Sequence, residues 1–252
     1  MSHSNDLLWE YNFDNFNTFN KYWNIEERNA RNVNNELQRY VSDCIKLDNS
    51  EFTITTTKHG NDIKSGRINS RGKVEFKYGY VETEMKFDTS KGIWPAFWLL
   101  GNDLRWPNCG EIDILEYVGW NKNHIYGTLH GPGYSGGNAY SSGSLKLLHN
   151  ENEWNKYAIE WEPNQIKWFL NNELFFTATR DELHKKHNGQ HWCFNDRAFY
   201  FIINTAVGGN FGGAFHDSEN YIYNNFPTAS ETKVKYIKIW KTNNNHGEMV
   251  KS

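Results

Sequence analysis

The chain reads as an all-β protein, a sandwich or barrel of short strands. Three observations predict this. β-rich segments with alternating apolar and polar residues recur at close spacing, turn residues separate them, and stretches with helical periodicity are almost absent. Glu51–Thr57 reads Glu-Phe-Thr-Ile-Thr-Thr-Thr, and Lys73–Phe87 holds two such runs around Gly79. Trp154–Trp161 and Gln165–Leu170 follow, with Glu162-Pro163-Asn164 as the turn between them. Asn171-Asn172 marks a hairpin turn into Leu174–Thr179. Phe199–Thr205 and Lys233–Trp240 complete the strands, and Arg180–Lys186 reads as a short helix. Two glycine-rich stretches, Gly131–Gly137 and Gly208–Gly213, read as long loops. No Lys-Ser/Thr follows either of them, so neither is a phosphate cradle. The Asn243-Asn244-Asn245 run is expected to fray.

A chain of 252 residues suits one domain with one substantial core, here spanning residues 1–252. Aromatic residues make up 16%, including 11 Trp, and this excludes a disordered chain. So many rings serve either a sandwich core or flat surfaces in a binding cleft. The net charge is −3, with no basic stripe for nucleic acid. An uncharged partner fits better, and a sugar offers both hydroxyls and apolar C–H faces. No apolar run is long enough to span a membrane. Cys44, Cys109 and Cys193 form no metal-type pair and allow at most one bridge, so buried or free thiols are expected. Met1–Asp6 lacks a hydrophobic signal core. The protein either stays in the cell or has lost a leader.

The most informative stretch is Gly110-Glu111-Ile112-Asp113-Ile114-Leu115-Glu116-Tyr117-Val118. In a strand, residues two apart share a face, so Glu111 and Asp113 point the same way. Glu116 comes one residue late. A single β-bulge between Asp113 and Glu116 returns it to the shared face; without one it points to the opposite side. Three ionised carboxylates on one face repel, which a purely structural sheet avoids. The competing reading is a solvated acidic face. With the bulge, the outer two carboxyls lean towards the ~5–5.5 Å separation of retaining glycosidases.

The surrounding segments resemble glycoside hydrolase family 16, in particular its laminarinase (endo-β-1,3-glucanase) branch. The matching segments run in order from Asn34-Asn35-Glu36-Leu37-Gln38 through Ser65–Ser70, Lys77-Tyr78-Gly79 and Trp94-Pro95-Ala96-Phe97-Trp98. Trp106-Pro107-Asn108-Cys109 then leads into the acidic motif, and Tyr126–Gly131, Glu160-Trp161 and Asn204–Gly209 follow. The resemblance implies a β-jelly-roll of two curved antiparallel sheets with a concave substrate cleft. It implies that Glu111 is the nucleophile, Glu116 the acid/base and Asp113 the helper between them. Asn34 and Arg67 match sugar-binding positions, Trp98 and Trp106 match stacking residues, and His130 and Asn204 match polar neighbours of the acidic strand. Trp98 shares parity with Trp94 and Ala96, so with Trp98 in the cleft, Phe97 and Leu99 face the core.

The implied activity is retaining endo-hydrolysis of β-1,3-glucan through a covalent glycosyl-enzyme, with no cofactor required. Many relatives hold a structural calcium through an Asp in the last strand. Here Lys235 stands at that position, and a cation there opposes the site. Phe211 stands where relatives often carry Trp. The implied partner is a β-glucan polysaccharide or oligosaccharide, with no nucleic acid and no membrane, and the protein is expected to be an extracellular monomer. Two alternatives share the fold. One is a non-catalytic β-glucan-binding protein, which the intact acidic triad opposes. The other is an endo-hydrolase of mixed-linkage glucan or of a galactan, where a sulfated substrate calls for a basic cleft.

Overall fold

The computed structural model describes residues 3–14, 16–48, 50–143, 145–146, 152–213 and 218–252. Among these, two ten-stranded sheets pack face to face. The first runs in the order Glu173–Thr179, Gln165–Leu170, Asn155–Glu162, Gly79–Phe87, Ala229–Trp240, Glu51–His59, Asp62–Ser65 and Arg39–Tyr40. The second runs Tyr140–Ser141, His124–His130, Glu111–Tyr117, Ile93–Gly101, Phe199–Val207, Arg67–Asn69 and Asn24–Ile25. Pairing is antiparallel except between Arg39–Tyr40 and Asp62–Ser65. No helix among the described residues is long and apolar enough to cross a membrane.

The alternating runs become strands because one face of each is covered. Phe97 and Leu99 are fully buried, as parity requires, while Trp98 between them is part-exposed on the other face. Phe97 stacks on Phe201 with centroids 5.7 Å apart. The opposite sheet supplies Val81, Met85, Ile159, Trp161, Ile166 and Ile237 to the same core. Each such side chain removed from water contributes about 1.5–3 kcal/mol before the entropy cost of folding. The Asn171-Asn172 turn has positive φ at both residues, the hairpin conformation that asparagine tolerates. Arg180–Lys186 is a helix, capped by the Thr179 hydroxyl accepting from the Glu182 N–H.

Three details differ from the sequence reading. The runs around Gly79 belong to different sheets: Glu75–Lys77 pairs with Phe199–Val207, and Gly79–Phe87 lies in the facing sheet. The asparagine run is not frayed. Asn244 donates to both oxygens of Glu162, at 3.0 and 3.1 Å, and the turn leads into a last strand, Glu248–Lys251. Within the second glycine-rich loop, Gly209–Gly212 closes a helical turn. The three cysteines are free and buried.

The bulge is present. Asp113 pairs with Thr128 and Glu116 with Tyr126, so three steps on one strand oppose two on its neighbour. The other neighbour shows the same offset, with Trp98 opposite Asp113 and Phe97 opposite Leu115. Trp168 crosses the core from the facing sheet, and its indole N–H donates to the main-chain carbonyl of Asp113 at 2.8 Å. A Cβ on Gly127 would stand 2.7 Å from Trp168 Cδ1. The ring cannot retreat without losing that hydrogen bond and its contact with Phe176. Gly127→Ala is therefore expected to destabilise the fold by about 1–3 kcal/mol through overpacking. Trp168→Phe is expected to cost a similar ~1–3 kcal/mol by orphaning the carbonyl. Chemical denaturation midpoints check both; an unchanged midpoint in either variant removes Trp168 as the anchor of the bulge.

Candidate active site

The bulge sorts the acidic strand into two faces. Ile112, Ile114, Leu115 and Tyr117 are fully buried in the core. Glu111, Asp113 and Glu116 share the other face with Trp98 and Trp94 of the adjacent strand. Asp113 is nearly inaccessible at 2%, while Glu111 and Glu116 are part-exposed.

The environments of the three carboxyls differ. Glu111 Oε2 accepts the indole N–H of Trp106 at 2.6 Å. Burial, then the charges of Glu111 and Glu116, and then a hydrogen bond with Glu111 push the Asp113 carboxyl well above the usual carboxylate range. The protonated form of Asp113 is thereby favoured, with a hydrogen bond to Glu111. Glu116 is pushed up to about 8, first by burial and next by Glu111, with a smaller push from Glu36. The Trp94 indole N–H, donating to Glu116 Oε1 at 3.1 Å, acts in the opposite direction by stabilising the carboxylate.

Trp106 is half-exposed on the loop that precedes the acidic strand. Arg197 pins that loop: its guanidinium pairs with Asp103 and donates to the carbonyl of Cys109. Trp106→Ala is expected to leave the fold intact and weaken glucan binding by about 1–3 kcal/mol, the loss of one large apolar surface. Calorimetric titration with laminarin oligosaccharides on an inactive background measures this. A variant that fails to fold places the ring in the core instead.

Trp98 forms the floor on the other side. Its indole N–H donates to Asn204 Oδ1 at 2.7 Å, and the Arg67 guanidinium lies 5.0 Å over its ring. Arg67 is itself buried, 3.1 Å from Glu26, which Asn69 and Arg28 also hold. Arg67 thus packs on the face of the Trp98 ring and Asn204 at its edge, each with less than a tenth of its surface open. Asn34 is more remote. It sits exposed on a loop with positive φ, and its amide donates to Glu36 at 3.2 Å.

That last contact opens onto residues the sequence reading did not single out. Glu36 is buried, and its carboxylate also accepts from Gln38 at 2.8 Å. Tyr40 stands between Glu36 and Asn204, receiving the Asn204 amide at 3.0 Å. A polar chain therefore runs from Asn34 through Glu36, Tyr40 and Asn204 to Trp98. Trp94, within the Trp94–Trp98 segment, also touches Glu116. The fixed spacing of Asn34, Glu36, Gln38 and Tyr40, every second residue, was the available signal.

His130 lies opposite Glu111 on the neighbouring strand, with Nε2 3.2 Å from Asp113 Oδ2. Ligand atoms of Glu111, Asp113 and His130 come within 4.8 Å of one another, a spacing that invites a metal reading. The histidine opposes it. The Gly136 N–H donates to Nδ1 at 3.1 Å, so the neutral ring carries its proton on Nε2, where a metal needs a lone pair. His130 turns this Nε2 towards Asp113 Oδ2. At the position where the resemblance implies a calcium ligand, Lys235 pairs with Glu84 at 2.7 Å and lies 4.2 Å over the Trp154 ring. An ammonium offers no oxygen ligand, so this position does not fit a calcium.

A sandwich with a bulged acidic strand, its carboxyls in unlike environments and flanked by tryptophans, is a glycosidase-type site. The model of glycosyl hydrolases family 16 matches residues 32–195, and the chain belongs to this family. It is similar to a beta-glucanase of Rhodothermus marinus, 31% identical over 94% of this chain and 85% of that protein. It is also similar to the catalytic domain of an endo-1,3-beta-glucanase (laminarinase) of Thermotoga petrophila. That similarity has a TM-score of 0.84 and 31% identity, covering 96% of this chain and 99% of that one. A keratan-sulfate endo-1,4-beta-galactosidase of Sphingobacterium multivorum is 28% identical over 94% of this chain, which spans 55% of that longer protein.

Proposed function

We propose that this chain is a retaining endo-hydrolase of β-1,3-glucans, working by double displacement through a covalent glycosyl-enzyme. The observation that carries this reading is the bulge, which sets Glu111 and Glu116 on one face in contrasting surroundings. Glu111 attacks the anomeric carbon and the glycosidic bond breaks. Glu116, protonated at neutral pH, gives its proton to the departing oxygen. Glu116 then takes a proton from the water that releases the sugar, and Glu111 is freed. Asp113 stands between them as the helper, its protonated form favoured by burial and by the charges of Glu111 and Glu116. Trp98 and Trp106 offer the sugar ring surfaces, while Arg67, Asn204 and Asn34 supply polar contacts around them.

The kinship with proteins named beta-glucanase and laminarinase supports a β-1,3-glucan as substrate. We read residues 1–252 as one catalytic domain, monomeric and requiring no cofactor. A polymer too large to enter a cell supports action outside it. Because Glu116 must be protonated in the first step, kcat/KM should fall as pH rises through about 8. The deciding experiment is product analysis on laminarin, curdlan, lichenan and agarose side by side. Laminarin should be cut internally to short oligosaccharides, with mixed-linkage lichenan cut comparably or more slowly. Strong activity on agarose with none on laminarin overturns the assignment.

A further inference from the structure

Within the loop Gly208–Gly213, the structure gives Phe211 a defined set of contacts. The Phe211 ring meets Trp94 edge-on, with centroids 5.4 Å apart and planes at 83°. It meets Tyr126, the cross-strand partner of Glu116, at 5.1 Å and 77°. Trp120 adds a third edge contact at 6.3 Å, and its indole N–H donates to the Phe211 carbonyl at 2.6 Å. The loop's main chain also lies against the Trp94 indole, since a Cβ on Gly212 would stand 3.2 Å from Trp94 Cε3. On the preceding side, the Asn210 N–H donates to the Asn34 carbonyl at 2.7 Å, and Asn35 donates to Asn210 Oδ1 at 2.9 Å. The ring is thus held from both ends and pressed against an indole whose N–H reaches a carboxylate.

We propose that Phe211 is a positioning residue for Glu116, acting through Trp94 by holding the indole at the angle that keeps its N–H on the carboxylate. Aromatic rings prefer such edge-to-face geometry, and the contacts with Tyr126 and Trp120 hold the Phe211 ring as a fixed wall against the Trp94 indole. The proposal rests on the reading of Glu116 as the acid/base and adds a residue to it. The groups facing Glu116 are Glu111 and Asp113 on its own strand, Tyr126 opposite, Trp94 beside it, and Glu36 from the loop near Asn34. Removing the Phe211 ring leaves all of these side chains present. What changes is the Trp94 hydrogen bond, which favours the ionised form of Glu116 and so lowers the pH at which the acid loses its proton.

The test is the pH dependence of kcat/KM on laminarin, compared first between wild type, Phe211→Ala, Phe211→Leu, Trp94→Phe and the Trp94→Phe/Phe211→Ala double variant. The two Phe211 single variants should move the alkaline limb to higher pH by roughly 0.4–1 unit, the equivalent of one net hydrogen bond. Phe211→Leu keeps most of the apolar volume and guards against a folding defect in the alanine variant. Trp94→Phe should move the limb equally, and the double variant should move it no further. Phe211→Tyr, which keeps the ring, should restore the wild-type limb. The proposal is overturned if the limb stays put in the Phe211 variants while KM rises, which makes Phe211 a sugar contact. It is overturned equally if Phe211→Ala shifts the limb again in the Trp94→Phe background, or if Trp94→Phe shifts nothing. Glu116→Ala separates the two levels: a limb that persists in that variant removes Glu116 as the acid, and the underlying reading fails with it.

Discussion

Glu111→Ser should abolish laminarin hydrolysis, lowering kcat by on the order of 10⁴-fold or more, while the protein still folds and still binds glucan. The size of the effect follows from the role: without a nucleophile no covalent intermediate forms, and the remaining groups have nothing to act on. Binding survives because the flat surfaces of Trp98 and Trp106 are untouched, although Trp106 loses the carboxylate that accepts its N–H. Reducing-sugar release measures the first part, and titration with a laminarin oligosaccharide measures the second. Residual activity within tenfold of wild type would falsify the nucleophile assignment.

Glu116→Ala should behave differently, and the contrast between the variants is more telling than either loss. The variant lacks the proton donor for a poor sugar leaving group, so turnover of laminarin should drop by about 10²–10⁴-fold. An aryl glucoside with an acidic phenol needs little such help and should lose far less. Azide should then replace the missing base step and release a β-glycosyl azide. The stereochemistry of the wild-type enzyme comes from the same pair of displacements, so the first products seen by proton NMR should be β-anomers. Fresh α-anomer at early times means a single displacement, and the roles of Glu111 and Glu116 would both have to be reassigned.

Much of this architecture was legible because strands advertise themselves with a period of two. Phe97 and Leu99 against Trp98 required only parity. The Asn171-Asn172 turn required only the left-handed tolerance of asparagine. The bulge was different. The spacing of Glu111, Asp113 and Glu116 posed it as an alternative, but what holds it is the Trp168 N–H arriving from the facing sheet. No local pattern carries that information. The polar chain from Asn34 to Trp98 was hidden for the same reason: Tyr40 meets Asn204 across 164 positions of sequence. The tautomer of His130 depends on a glycine N–H in a loop that read only as a connector. The division of the runs around Gly79 between two sheets was also out of reach, since each run taken alone is an ordinary strand.

The extra residue in the acidic strand has a consequence for folding fidelity as well as for chemistry. A strand with strict alternation can slide by two positions and keep its apolar side inward. Here Ile114 and Leu115 are adjacent and both inside, with acids placed before and after them. A slip of one position past the bulge turns Glu116 into the apolar interior and brings Leu115 out into the cleft. Burying an unpartnered carboxyl makes that arrangement costly. The side chain proposed to move the proton thus doubles as a frame marker, penalising a one-position slip of the strand. Replacing it with an apolar residue of similar size, such as Glu116→Leu, erases the marker along with the activity. Such a chain no longer distinguishes the correct alignment from its neighbour by charge, and mixed registers in the refolded product are the outcome to look for.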